Sequence, residues 1–193
     1  MVTVEADADQ VERRLATGEL SCPSCHGVLA GWGRARPRQV RGVHDSVELR
    51  PRRSRCTDCR MTHVLLPVTV LLRRADSAVV IVAALTARAV RRVGFRTIAT
   101  ELARPAETVR GWLRRFTARA EAARGVFTVW LCAVDPDPVI PDGAGTVMAD
   151  AVAALGALAA AIGRRFAIPT VSLGEAAVTV SGGRLLASGW PGA

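Results

Sequence analysis

The sequence contains no lysine, no asparagine and no tyrosine. Those residues use AT-rich codons, so their joint absence points to a GC-biased genome. The use of arginine for all 26 basic residues is therefore no evidence of selected guanidinium chemistry. No secretory leader is expected: the stretch from Met1 to Asp9 is acidic and has neither a basic n-region nor an apolar core. The longest apolar stretch, Thr146 to Ile162, has 17 residues and carries Asp150, whereas a bilayer span needs about 20. Export and membrane insertion are not expected. The expectation is a cytoplasmic, nucleoid-associated protein in a reducing compartment, where paired cysteines are metal ligands more often than disulfides.

Catalytic signatures are lacking too. There is no P-loop, no G-x-G-x-x-G and no Ser/His/Asp set. The late acids Glu121, Asp135, Asp137, Asp142, Asp150 and Glu175 do not suggest the carboxylate cluster that divalent-metal phosphoryl chemistry requires, and three of them fall in one Pro/Gly-rich stretch. A non-enzymatic protein without a small-molecule substrate is expected.

What is present is a polarised charge. The chain carries a net charge of +9, and between Cys22 and Arg124 there are 21 Arg against 7 acids, while the remainder holds 5 Arg against 10 acids. A basic block in an acidic frame implies a polyanionic partner. Membrane headgroups are the rival to nucleic acid, but no basic amphipathic helix with aromatic anchors is seen.

Four of the five cysteines form two pairs, Cys22-Pro-Ser-Cys25 and Cys56-Thr-Asp-Cys59, separated by 30 residues. A C-x2-C turn aims two sulfurs at one ion, and two such turns complete the thiolate tetrahedron that zinc prefers. Other readings are a redox pair, which lacks a surrounding βαβ pattern, a c-type haem signature ending at His26, which requires export, and four unrelated buried thiols. Structural Zn2+ on Cys22, Cys25, Cys56 and Cys59 is the expectation, with His26, His44 and His63 outside the ligand set. Gly27 is expected to supply the positive φ of the first knuckle, and Arg60 makes the second a poorer match. Cys132, beside Trp130 and Leu131, reads as a buried apolar residue.

Between the pairs, Val47-Glu48-Leu49-Arg50 alternates as a half-buried strand does, with a turn over Gly42 to Ser46. Nine arginines and three acids lie between Arg34 and Arg60, and Arg50, Arg52, Arg53 and Arg55 are candidates for gripping phosphates without reading sequence.

Residues 96–116 read as a helix-turn-helix. Ile98, Ala99 and Leu102 line one face of a first helix, and Arg104-Pro105 breaks it. Val109, Trp112, Leu113 and Phe116 recur at i, i+3, i+4, i+7, a buried stripe. The DNA-facing candidates are Arg104, Ala106, Glu107, Thr108, Arg110, Gly111, Arg114 and Arg115. Arginine can bind guanine bidentately, and Glu107 can accept from cytosine N4.

Taken together, Cys22-Pro-Ser-Cys-His-Gly27, Leu49-Arg-Pro-Arg-Arg-Ser-Arg-Cys-Thr-Asp-Cys59, Thr62-His-Val-Leu-Leu-Pro67 and Thr108-Val-Arg-Gly-Trp-Leu-Arg-Arg-Phe116 resemble an actinobacterial family. Its members join a zinc-ribbon-like domain of unknown function to a helix-turn-helix, and are similar to the DNA-binding parts of mobile-element proteins. The resemblance runs to Gly182-Gly-Arg-Leu-Leu-Ala187 and implies a link to transposition.

The expected fold is α+β: an N-terminal helix over 1–20 (from Asp9 to Leu20), a zinc ribbon-like domain over 21–69, a helix-turn-helix domain over 75–124, a linker over 125–145, and a C-terminal segment over 146–193. That last segment holds an Ala/Leu-rich helix from Thr146 to Phe166, covered by the rest of the chain or by a partner, and then a Gly-rich tail. The functional expectation is sequence-specific binding of double-stranded DNA, as a regulator or transposition-associated factor. Its partner is a homodimer mate or a transposase or recombinase. The alternative is a zinc-stabilised scaffold or accessory subunit without its own specificity.

Overall fold

The computed structural model describes residues 1–191; the last two residues of the expected C-terminal segment lie outside them. The chain is mixed α+β, a small metal-ribbon-like sheet followed by a helical unit.

The sheet is built from β1 (Val2–Val4), β6 (Thr62–Pro67), β5 (Arg52–Cys56) and β2 (Leu29–Arg34), in that order. The expectation of helix alone over 1–20 is corrected here: Val2–Val4 is a strand, paired in parallel with β6 through Val2 and Leu65, and Val4 and Pro67. The helix that follows, α1 (Ala8–Ala16), starts earlier than Asp9 because Asp7 caps it, accepting from the Asp9 and Gln10 amides. Val11 and Leu15 of α1 pack with Leu20, Leu29 and Leu65 on one face of the sheet, so residues 1–20 belong to the ribbon's own core.

The expected turn and strand pair is present as the hairpin β3 (Arg38–Arg41) and β4 (Ser46–Leu49), with Val40 opposite Val47. Val40 is buried, but Val47 is 58% exposed. The alternation of 47–50 is therefore that of a half-buried strand at one end only: Leu49 packs half-buried against Val40, Leu66 and Val70, while Val47 on the same face is uncovered.

From Ser77 on, every regular element among the described residues is a helix. The β-branched run from Val79 to Val82 lies within α2 (Ala78–Arg91), capped by Ser77. Val80, Ile81 and Val82 are all buried, and contact from several sides overrides their strand preference. After α2 come α3 (Phe95–Glu101), α4 (Ala106–Thr117), α5 (Ala120–Val134), α6 (Val147–Arg165) and α7 (Leu173–Ser181).

Two of these helices depart from expectation. The expected 125–145 linker is helix as far as Val134. Phe127 and Leu131 of α5 are buried against α6, and only 135–145 is an irregular connection. The supposed tail holds α7, opened by a reciprocal capping box between Ser172 and Glu175. Gly174 lets α7 cross α2 closely, since a Cβ there would lie 2.8 Å from the Val79 amide nitrogen. One apolar cluster runs from Leu71 to Trp190, so 75–124 and 146–191 share a core.

Among the described residues α6 alone has the length and apolarity of a membrane span, at a mean hydropathy of 1.6. Half of it is buried inside the protein, as the core helix of this unit.

Candidate metal centre and nucleic-acid interface

The four sulfurs predicted from spacing converge, all within 4.8 Å of one another, with Cys25 and Cys56 Sγ 3.4 Å apart and Cys22 and Cys59 Sγ 3.7 Å apart. A tetrahedral ion bound at about 2.3 Å per sulfur has sulfur–sulfur edges of about 3.8 Å. All five cysteines are free thiols. The cluster has the donor set and spacing to hold a metal ion.

Local geometry explains the convergence. In each knuckle the first cysteine's amide bonds to a carbonyl five residues on, Cys22 to Gly27 and Cys56 to Met61. In each, the residue after the second cysteine is left-handed, His26 at φ 63° and Arg60 at φ 64°. The two knuckles are thus equivalent, which corrects the expectation that Gly27 carries the positive φ and that Arg60 spoils the match. Gly27 serves another purpose: a Cβ there would fall 2.3 Å from an Asp58 carboxylate oxygen.

Four thiols this close resist ionising together. Burial pushes Cys22 up, but the Ser24 and Cys25 backbones and the Cys59 and His63 side chains outweigh it and bring the thiol to about 6. At Cys59 the Met61 backbone favours the thiolate, yet the neighbouring thiols and burial together drive it up to about 12. A cation among them removes that conflict.

His63, expected to be an ordinary strand residue, is buried with Nε2 3.4 Å from Cys22 Sγ. It is placed to orient a ligand sulfur from outside the ligand set. The signal was the alternation of Thr62-His-Val-Leu65, which puts His63 and Leu65 on the inner face. Cys132 is exposed, against the expectation of burial, because it lies on the outer side of α5.

In the second candidate region, α3 and α4 are joined by Leu102 to Pro105, with Ala103 left-handed at φ 50°. The stripe of Val109, Trp112, Leu113 and Phe116 is buried, as are Ile98 and Ala99 behind it. Glu107, Arg110 and Arg114 are exposed on the opposite side, Thr108 and Gly111 half-exposed. Arg110 is 61% exposed and 3.3 Å from Glu107.

Three expected contacts are not free. Arg104 is inward-facing: Nε lies 2.6 Å from buried Asp76, and its other nitrogens donate to the Leu102, Ala103 and Gly42 carbonyls. Ala106 packs against the helical core. Arg115 is half-buried, donating to the Gly111 carbonyl.

On the sheet, strand alternation divides the four phosphate candidates. Arg52 points to the α1 side, where it pairs with Glu12 at 2.8 Å and donates to the Gly33 carbonyl. Arg53 and Arg55 take the other face, and Arg50 is exposed before the strand. Proximity of residue numbers could not separate these roles.

Comparison with family models, with curated proteins and with solved structures gives no match. The functional reading therefore rests on the site alone.

Proposed function

We propose that this chain is a sequence-specific double-stranded DNA-binding protein, a regulatory or transposition-associated factor, in which α3 and α4 act as a helix-turn-helix and the four-cysteine centre holds structural Zn2+. The observation that carries the reading is the partition of α4. One side is sealed into the core, while Glu107, Arg110 and Arg114 project into solvent along the other. Arginine on such a face can hydrogen-bond guanine O6 and N7. Arg50, Arg53 and Arg55 add basic surface for phosphates, while Arg52 is withdrawn from that role, and Arg104 from the DNA-facing set, by their own ion pairs.

Zinc suits four thiolates in a tetrahedron with no open position, and such a centre contributes folding free energy on the order of 10 kcal/mol rather than catalysis. No reaction step passes through it.

The test is selection of bound duplexes from a random DNA pool at about 150 mM salt, a concentration that suppresses purely electrostatic association, with Arg110→Ala in parallel. The native protein is expected to enrich a motif. The variant should lose about 1–3 kcal/mol of discrimination at one position. Salt-sensitive binding without enrichment by either protein overturns the reading and favours the scaffold alternative.

A further inference from the structure

Trp32 is the aromatic side chain of β2 and is 51% exposed, on the sheet face opposite α1. Ala30 and Thr62 flank Arg55 in register on that face, with Arg53 two residues along β5. The Arg55 guanidinium carbon lies 4.6 Å from the Trp32 ring centre, and Arg55 Nε donates to the Arg60 carbonyl, which fixes the stack. An indole is thus backed on one side by a held cation and keeps half its surface in water.

The backbone clears the approach. Trp32 sits in an irregularity of the β2–β5 ladder between Gly31 and Arg34, and β2 is the outermost strand. Gly33 is left-handed at φ 100°, and a Cβ there would meet nothing within 4 Å. The ring therefore has glycine on both sides in the chain, so neither sequence neighbour crowds it with a side chain. On that face Arg53 and Arg55 have no carboxylate partner among the described residues. An open aromatic plane set among uncompensated arginines fits a planar group carried on a polyanion.

We infer that this face is a stacking platform for unpaired nucleobases: Trp32 takes a base on its open side, and Arg53, on the same face, holds a flanking phosphate. A duplex keeps its base faces stacked on one another, so the occupant is a single strand. The proposal does not rest on the α4 reading, because none of these residues belongs to that helix.

The experiment uses full-length, zinc-supplemented protein and labelled twelve-nucleotide oligo-dT and oligo-U, with affinity read by anisotropy and stacking by tryptophan emission. Trp32→Ala is expected to bind either strand about tenfold more weakly, about 1.4 kcal/mol, within the range for loss of one base–aromatic stack. Trp32→Phe should keep affinity within about threefold, because a phenyl ring still stacks, but lose the strand-induced quenching of emission. Duplex selection by Trp32→Ala should be unchanged, whereas Arg110→Ala should leave strand binding unchanged. A preference for oligo-U or oligo-dT identifies the source of the strand, and Trp32-dependence on either supports the platform. Unaltered strand affinity in Trp32→Ala, or quenching that persists in Trp32→Phe, overturns it.

Discussion

Replacing Asp76 by alanine tests how the ribbon is fastened to the helices. The Asp76 side chain is 3% exposed and lies between two guanidiniums, Arg41 of the β3–β4 hairpin at 2.7 Å and Arg104 of the α3–α4 turn at 2.6 Å. Arg104 is itself only 9% exposed, so removing the carboxylate leaves a buried charge uncompensated, which costs about 3–5 kcal/mol. Its carbonyl acceptors at Gly42, Leu102 and Ala103 survive, which places the expected loss near the lower end of that range, about 3 kcal/mol. Arg41 is 39% exposed and solvent-screened, so Arg41→Ala should cost no more than about 1 kcal/mol. The assay is urea unfolding of the zinc-saturated protein, followed by circular dichroism. A double-mutant cycle of Asp76→Ala with Arg104→Met should return a coupling of about 2 kcal/mol or more, since the second change removes the stranded charge. If Asp76→Ala costs no more than Arg41→Ala, or the cycle is additive within about 0.5 kcal/mol, the carboxylate is not the clamp described.

Three further outcomes are expected. Cys22→Ser, or a strong chelator, should abolish the one bound metal per chain and melt the sheet, while the helical core from Leu71 to Trp190 keeps its far-ultraviolet signal; loss of both signals together would contradict separate cores. Gly174→Ala should lose about 1–3 kcal/mol from its backbone clash with α2, whereas Gly156→Ala, where a Cβ meets nothing within 4 Å, should gain up to about 1 kcal/mol of helix stability; thermal melts of the pair check the geometry. A Cβ at Gly111 meets only the far end of the Arg115 side chain, at 2.9 Å. Gly111→Ala should therefore leave folding intact or slightly improved while weakening duplex binding, and unchanged duplex affinity would show that no DNA backbone approaches there.

The features legible in the sequence are those set by short spacing. The paired cysteines announced their cluster because a C-x2-C turn is a local geometry, and the 109, 112, 113, 116 stripe announced the buried side of α4. The parallel pairing of Val2–Val4 with β6 was not legible, because it joins residues about sixty apart and no local pattern specifies a partner at that distance. Helix α5 was obscured by Gly125 and by β-branched Val126 and Val129, which lower helix preference until the contacts of Phe127 and Leu131 with α6 are counted. Helix α7 did have a local sign, the Ser172–Glu175 capping box, hidden among glycines. Arginine roles divided for a different reason. Arg52 and Arg104 differ from Arg53 and Arg110 in facing inward, where the folded chain brings Glu12 and Asp76 opposite them.

The joint between sheet and helices also depends on residues made late. Leu72 donates to the Gly183 carbonyl at 2.7 Å, Arg74 Nη2 to the Leu186 carbonyl at 3.0 Å, and a Cβ on Gly183 would lie 3.0 Å from Leu66. Every residue of the four-stranded sheet and the four clustered cysteines precede Val68. Synthesis at about 5–20 residues per second therefore separates completion of the metal ribbon from arrival of its far clasp by roughly 6–24 s. During that interval the nascent ribbon can load its ion and close its own small core without the rest of the chain. Docking against the helices then comes as a distinct, later event, so a failure at the clasp would strand a metal-loaded ribbon on a mispacked helical unit rather than prevent the ribbon from forming.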